Sequence, residues 1–136
     1  MTHYNRPLPA ISPIDRPYWA AAREHTLLVQ VCERCERYNL PASMACPACG
    51  GALRWTAASG RGIVHTFTIF HKAYHPGFAD SLPYNVSIVE LDEGPLVLTN
   101  VVDVDAHDLK IGDAVEVLFD SVTEEVTLPR FRRINS

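Results

Sequence analysis

The chain carries its apolar residues in short runs rich in β-branched and aromatic side chains, separated by clusters of glycine, proline and acidic residues. Leu27–Val31 and Leu53–Trp55 read as strands; the long run Ile63–Phe70 follows, then Tyr84–Leu91, Leu96–Val102, Ala114–Phe119 and Thr127–Phe131. Turns are expected at Ser59–Gly62, Asp92–Pro95, Lys110–Asp113 and Ser121–Glu125, where breakers and short polar residues gather. A twelve-residue loop, His71–Leu82, carries Pro76 and Gly77 and is the longest irregular stretch expected in the chain. Helical composition is confined to Tyr18–Glu24, with Asp15 placed to cap it and Pro17 tolerated in its first turn. About three turns are marginal alone, so Tyr18 and Trp19 are expected to anchor the helix on a neighbouring surface. Ahead of it, Met1–Ile14 is polar and punctuated by three prolines, which predicts an extended arm.

This pattern is mainly β. Five strands after Ser59 suit a small, partly open barrel of the oligonucleotide/oligosaccharide-binding (OB) type better than a seven-stranded sandwich. Three segments result: an arm and short helix over 1–26, a cysteine-bearing ribbon over 27–58 and a barrel over 59–136. No apolar run reaches the eighteen residues that suggest a membrane span, and the first fourteen residues resemble no leader, so a cytoplasmic protein is expected.

The cysteines change the picture most. All four lie within eighteen residues, as Cys32-x2-Cys35 and Cys46-x2-Cys49. Two-residue spacing lets each pair occupy adjacent corners of a tetrahedron around one ion, and two such pairs describe a small ribbon closed by a structural zinc. Iron suits the same cage. Pro47 inside the second turn and Gly50-Gly51 after it match a backbone curling around sulfur. Four thiolates leave no open position, so the metal is expected to order the ribbon and not to activate water.

Candidate catalytic chemistry is sparse. There is no nucleophile elbow and no phosphate loop, and no cysteine remains outside the two pairs. His71, His75 and Asp80 flank one loop as a conceivable acid–base cluster, but without a recognisable orienting group. The preferred reading is a loop that docks beside another protein's active site, with His75, Phe78 and Tyr84 as contacts. Arg61, between two glycines, is a candidate for an anionic ligand or for a hinge. Arg130, Arg132 and Arg133 form a basic cluster that acidic neighbours can neutralise. From Ala57 onward there are six basic and twelve acidic side chains, the wrong balance for a phosphate backbone.

The order of these motifs carries more than each alone. Tyr18-Trp19 in a helix, the two cysteine knuckles, Ser59-Gly60-Arg61-Gly62, His75-Pro76-x-Phe78, Pro83-Tyr84, Val89–Gly94, Ile111-Gly112 and Leu128-Pro129-x-Phe131 together resemble the acyl-CoA-associated OB-fold proteins that carry an N-terminal rubredoxin-like zinc ribbon. The resemblance runs from about Asp15 to Ile134. It implies a subunit that is not an enzyme on its own and that partners a thiolase-superfamily enzyme (a thiolase, a synthase or a retro-aldolase) or a hot-dog-fold enoyl-CoA hydratase. It also implies that such a subunit completes or covers the partner's CoA and acyl channel, with acyl-CoA bound by the complex. Cys32, Cys35, Cys46 and Cys49 carry over as metal ligands; Arg61, His75, Phe78 and Tyr84 carry over as motif positions at the partner or channel. The alternative, a zinc-ribbon and OB module binding single-stranded nucleic acid, has the fold in its favour and the charge against it.

Overall fold

In the computed structural model, which describes residues 6–134, the described chain forms one α-helix and nine strands in two antiparallel-dominated sheets. Helix α1 spans Arg16–Arg23, with Pro17 in its first turn. Asp15 occupies the N-cap position without capping the helix: its carboxylate accepts instead from the Ser12 amide (2.7 Å) and hydroxyl (2.9 Å). The expected side-chain cap is therefore replaced by a turn in the arm, because Ser12 offers two donors three residues back. The helix ends where His25 takes a positive φ of 60°, letting Thr26 donate back to the Ala21 carbonyl. Tyr18 anchors it on the core. The Tyr18 and Trp19 rings meet edge to face at 5.1 Å, Tyr18 reaches Trp55, and the helix packs on strands of both sheets.

The first sheet is the ribbon, ordered β2-β1-β3 from β1 (Leu28–Cys32), β2 (Tyr38–Asn39) and β3 (Leu53–Ala57). Gln30, buried in β1, has both ends of its amide satisfied. Its oxygen accepts from Asn39 and from the Ser43 amide, and its nitrogen donates to the Ser43 carbonyl.

The second sheet runs β6-β5-β4-β8-β9-β7, built from β4 (Arg61–Phe70), β5 (Tyr84–Leu91), β6 (Leu96–Thr99), β7 (Val101–Val102), β8 (Ala114–Ser121) and β9 (Thr127–Arg133). The predicted single strand Leu96–Val102 is broken at Asn100. Its first half pairs antiparallel with β5 and its second half parallel with β9, so the two ends of the sheet are one continuous segment and the sheet closes into a five-strand barrel. The break has a side-chain cause. Asn100 turns its amide to the Asn85 carbonyl and to Arg130, while Asn85 bonds both the amide and the carbonyl of Val101. β4 is long and bent, with a bulge between Val64 and Thr66 that leaves His65 out of register. Gly62 permits the crossing at its start, since a Cβ there would stand 2.3 Å from the Glu90 carbonyl oxygen.

Inside the barrel, Val64, Val89, Leu91, Val97, Val101, Leu109, Val115 and Phe131 are buried, and Leu27 and Val29 from the ribbon side join the same cluster. Ribbon and barrel therefore share one core. This meets the difficulty of a ribbon too small to bury much apolar surface alone.

Candidate functional site

The ribbon's two knuckles repeat one backbone pattern. Glu36 N–H donates to the Cys32 carbonyl and Cys32 N–H to the Arg37 carbonyl; Gly50 N–H donates to the Cys46 carbonyl and Cys46 N–H to the Gly51 carbonyl. Each turn requires a left-handed residue after its second cysteine, and Glu36 (φ 63°) and Gly50 (φ 77°) supply it. The result brings all four Sγ atoms within 4.8 Å of one another, with Cys32 and Cys49 at 3.5 Å and Cys35 and Cys46 at 3.7 Å. Zinc–sulfur bonds of about 2.3 Å in a tetrahedron set sulfur atoms about 3.8 Å apart, so the donor set fits one four-coordinate zinc.

The backbone prepares the sulfurs for charge. The amides of Cys35 and Arg34 point at Cys32 Sγ, each at 3.4 Å, and the Cys35 donor leads in lowering that thiol to about 6. Cys46 is likewise lowered, chiefly by the Cys49 amide. At Cys35 the Arg37 amide also lowers, but desolvation and the three neighbouring thiols outweigh it and push the group up to about 11. Four thiolates packed this closely need a cation among them, which is what a bound divalent metal provides. Gly51 closes the cage from outside: a Cβ there would meet Cys32 Sγ at 2.8 Å and Cys49 Sγ at 3.3 Å.

The second group of candidates lies at the far end of β4, on the loop that joins it to β5. Here the loop is partly ordered as a 3₁₀ turn over Pro76–Ser81, started by His75, whose Nδ1 accepts from the Gly77 amide at 3.0 Å. His75 meets the Phe78 ring edge-on, Phe78 stacks on Tyr84 at 5.1 Å, and Tyr84 touches Phe70, which touches Tyr74. His75, Phe78 and Tyr84 are thus brought into one aromatic ladder. Arg61 is not. It begins β4 while the ladder stands at that strand's end, at most about 30 Å along ten residues of extended chain.

The conceivable acid–base cluster does not assemble. His71 lies against His107, His75 is engaged with Gly77 and Phe78, and no hydrogen bond links either histidine to Asp80 among the described residues. Nor do the C-terminal arginines form a phosphate patch. Arg130 bonds Asp120 at 2.9 Å, Arg132 bonds Glu116 at 3.1 Å, and Arg133 lies 3.7 Å from Asp113. Arg6, which no motif singles out, reaches the loop: its guanidinium donates to the Gly77 carbonyl and Ser81 hydroxyl and sits 4.7 Å above the Phe78 ring.

Residues 19–54 match the family model described as the ChsH2 rubredoxin-like zinc ribbon domain, and residues 55–120 match that of the ChsH2 C-terminal OB-fold domain. A "DUF35 domain-containing scaffold protein" of Methanothermobacter thermautotrophicus is 35% identical over 76% of this chain and 78% of its own length. A "probable enoyl-CoA hydratase alpha subunit" of Thermomonospora curvata is 35% identical over 93% of this chain, which spans 40% of that protein's length. Among solved structures, a chain of "Ltp2-ChsH2(DUF35) aldolase" superposes with a TM-score of 0.84 at 33% identity, covering 93% of this chain and 98% of that one. A DUF35 protein of Sulfolobus solfataricus, at 15% identity and a TM-score of 0.66, shares the fold. Among the described residues, no helix is long and apolar enough to cross a membrane.

Proposed function

The chain belongs to the ChsH2 family of zinc-ribbon and OB-fold proteins, and from that premise we propose that it is a non-catalytic accessory subunit of an acyl-CoA-processing complex, with a thiolase-superfamily enzyme as its partner. The observation that carries this reading is the near end-to-end match, at 33% identity, to a chain of an Ltp2-ChsH2 aldolase. Relatives named as scaffold proteins support the non-catalytic part. So does the candidate site itself, where the histidines of the loop are engaged in turn-building and stacking.

In this reading Cys32, Cys35, Cys46 and Cys49 hold a structural zinc that fixes β1 and β3, and those strands in turn seat Leu27 and Val29 in the barrel core. The aromatic ladder of His75, Phe78 and Tyr84 forms the face presented to the partner, and the loop covers the partner's CoA and acyl channel. Arg61, at the opposite end of β4, serves a separate contact. Exposed apolar side chains such as Tyr74 and Leu98 support a surface that a second subunit covers. The C-terminal arginines are paired with acidic side chains and the chain's net charge is -4, which weighs against the nucleic-acid reading.

The test is to retrieve the tagged chain from its native cells and identify what accompanies it by mass spectrometry. A thiolase-superfamily subunit in near-equal amount is the expected result. Recovery of nucleic acid, or of the chain alone, would overturn the proposal.

A further inference from the structure

Arg6 and the loop it touches are separated by some seventy residues, yet the arginine makes three distinct contacts there. Its Nε donates to the Gly77 carbonyl at 3.0 Å, a terminal nitrogen donates to the Ser81 hydroxyl, and its carbon lies 4.7 Å over the face of Phe78. These three anchor points span the 3₁₀ turn Pro76–Ser81 from one end to the other. The turn is held by its own 3₁₀ backbone bonds and by Gly77 N–H to the His75 ring, and no residue of it is buried. A short 3₁₀ turn with no buried residue opens easily unless something outside it holds it shut.

Behind the turn lies a pocket of about 270 Å³. Arg6, Phe78 and Ser81 line one side, and Asn85, Asn100 and Arg130 line the other. That second side is rigid: Asn85 is buried and bonds the backbone of Val101, Asn100 bonds the Asn85 carbonyl, and Arg130 is held by Asn100 and Asp120. The pocket therefore has one fixed wall and one wall made of the arm and the loop together.

We propose that residues 6–14 of the arm are a releasable strap, with Arg6 as its buckle, that holds the His71–Leu82 loop closed over this pocket and sets how the loop's aromatic face is presented. Removing the buckle frees the loop while the barrel wall stays in place. Guanidinium geometry is what the site uses, since one planar fork reaches a carbonyl and a hydroxyl while its face covers a ring; a lysine keeps the charge and loses the fork. The inference concerns the isolated chain, so it stands or falls apart from the identity of any partner.

Hydrogen exchange of the purified full chain tests it, comparing the natural sequence with Arg6→Ala and Arg6→Lys. The Arg6→Ala loop amides, Gly77 and Phe78 among them, are expected to exchange about tenfold faster, from the loss of a cation–π contact and charged hydrogen bonds at an exposed site. Arg6→Lys should fall between the two, with the peptides of β1 and β5 unchanged in both variants. Unchanged loop exchange in Arg6→Ala would overturn the strap. So would a rise spread evenly over ribbon and barrel, which would make Arg6 a general stabiliser.

Discussion

Replacing Gly51 with alanine probes the metal centre through packing alone. Gly51 does not sit in the left-handed region, so alanine can adopt its backbone. The added Cβ would lie 2.8 Å from Cys32 Sγ, 2.9 Å from Arg34 Cβ and 3.3 Å from Cys49 Sγ. Ordinary contact lies near 3.5–4.0 Å, so Cys32 must retreat by roughly 1 Å, and it is one corner of the tetrahedron. Overpacking of this kind costs about 1–3 kcal/mol. Stiffening of the unfolded chain returns about 0.4–1 kcal/mol of that. A net loss of about 1–2 kcal/mol corresponds to zinc held about 5–30-fold more weakly, if the strain falls on the metal-bound state. Equilibrium competition with a chromophoric chelator reads this directly. Gly94→Ala is the control, because Gly94 has a φ of 113° with no atom within 4 Å of the added carbon. It should destabilise the fold by about 1–3 kcal/mol through backbone strain, with zinc affinity unchanged. Wild-type zinc affinity in Gly51→Ala would refute the reasoning that this contact defines the cage.

Two further outcomes follow from the core. Burial pushes the Tyr18 hydroxyl up to about 12. A free tyrosine ionises near pH 10, so the unfolded chain loses this proton first, and up to about 2–3 kcal/mol of stability present below pH 10 is lost between pH 10 and 12. Melting curves over that range should show a steeper decline for the natural chain than for Tyr18→Phe, and parallel declines would contradict it. Phe131 is fully buried at the centre of the barrel cluster, so Phe131→Ala should cost about 3–5 kcal/mol in denaturant titration. A loss under about 1 kcal/mol would mean that the barrel is not organised around it.

What the sequence makes legible is what short-range pattern controls. The ribbon's metal cluster follows from spacing, because each Cys-x2-Cys turn closes within six residues of chain. β5 was readable to the residue, since its side chains alternate between core and surface along its whole length. The break at Asn100 was not, because it depends on Asn85 and Arg130, fifteen and thirty residues away, and valines on both sides keep the run looking continuous. β2 is two residues long and carries no alternation, so nothing local marks it. Asp15 had the right type and position for a cap but found better donors at Ser12. At the loop, the order of His75, Phe78 and Tyr84 suggested a shared face, which the aromatic stacking gathers. Arg61 carried the same kind of signal and lies at the other end of the strand. Arg6 carried none, because a strap is a contact between distant segments and leaves no periodicity behind.

The central claim is that this chain assists an enzyme and is not one. The most direct test is acyl-CoA turnover measured for the retrieved partner alone, for this chain alone and for the two together. The account predicts no turnover by this chain and a rate for the pair well above that of the partner alone, reduced again when His71–Leu82 is shortened. Turnover by the chain alone, or a partner whose rate is indifferent to it, would contradict the account.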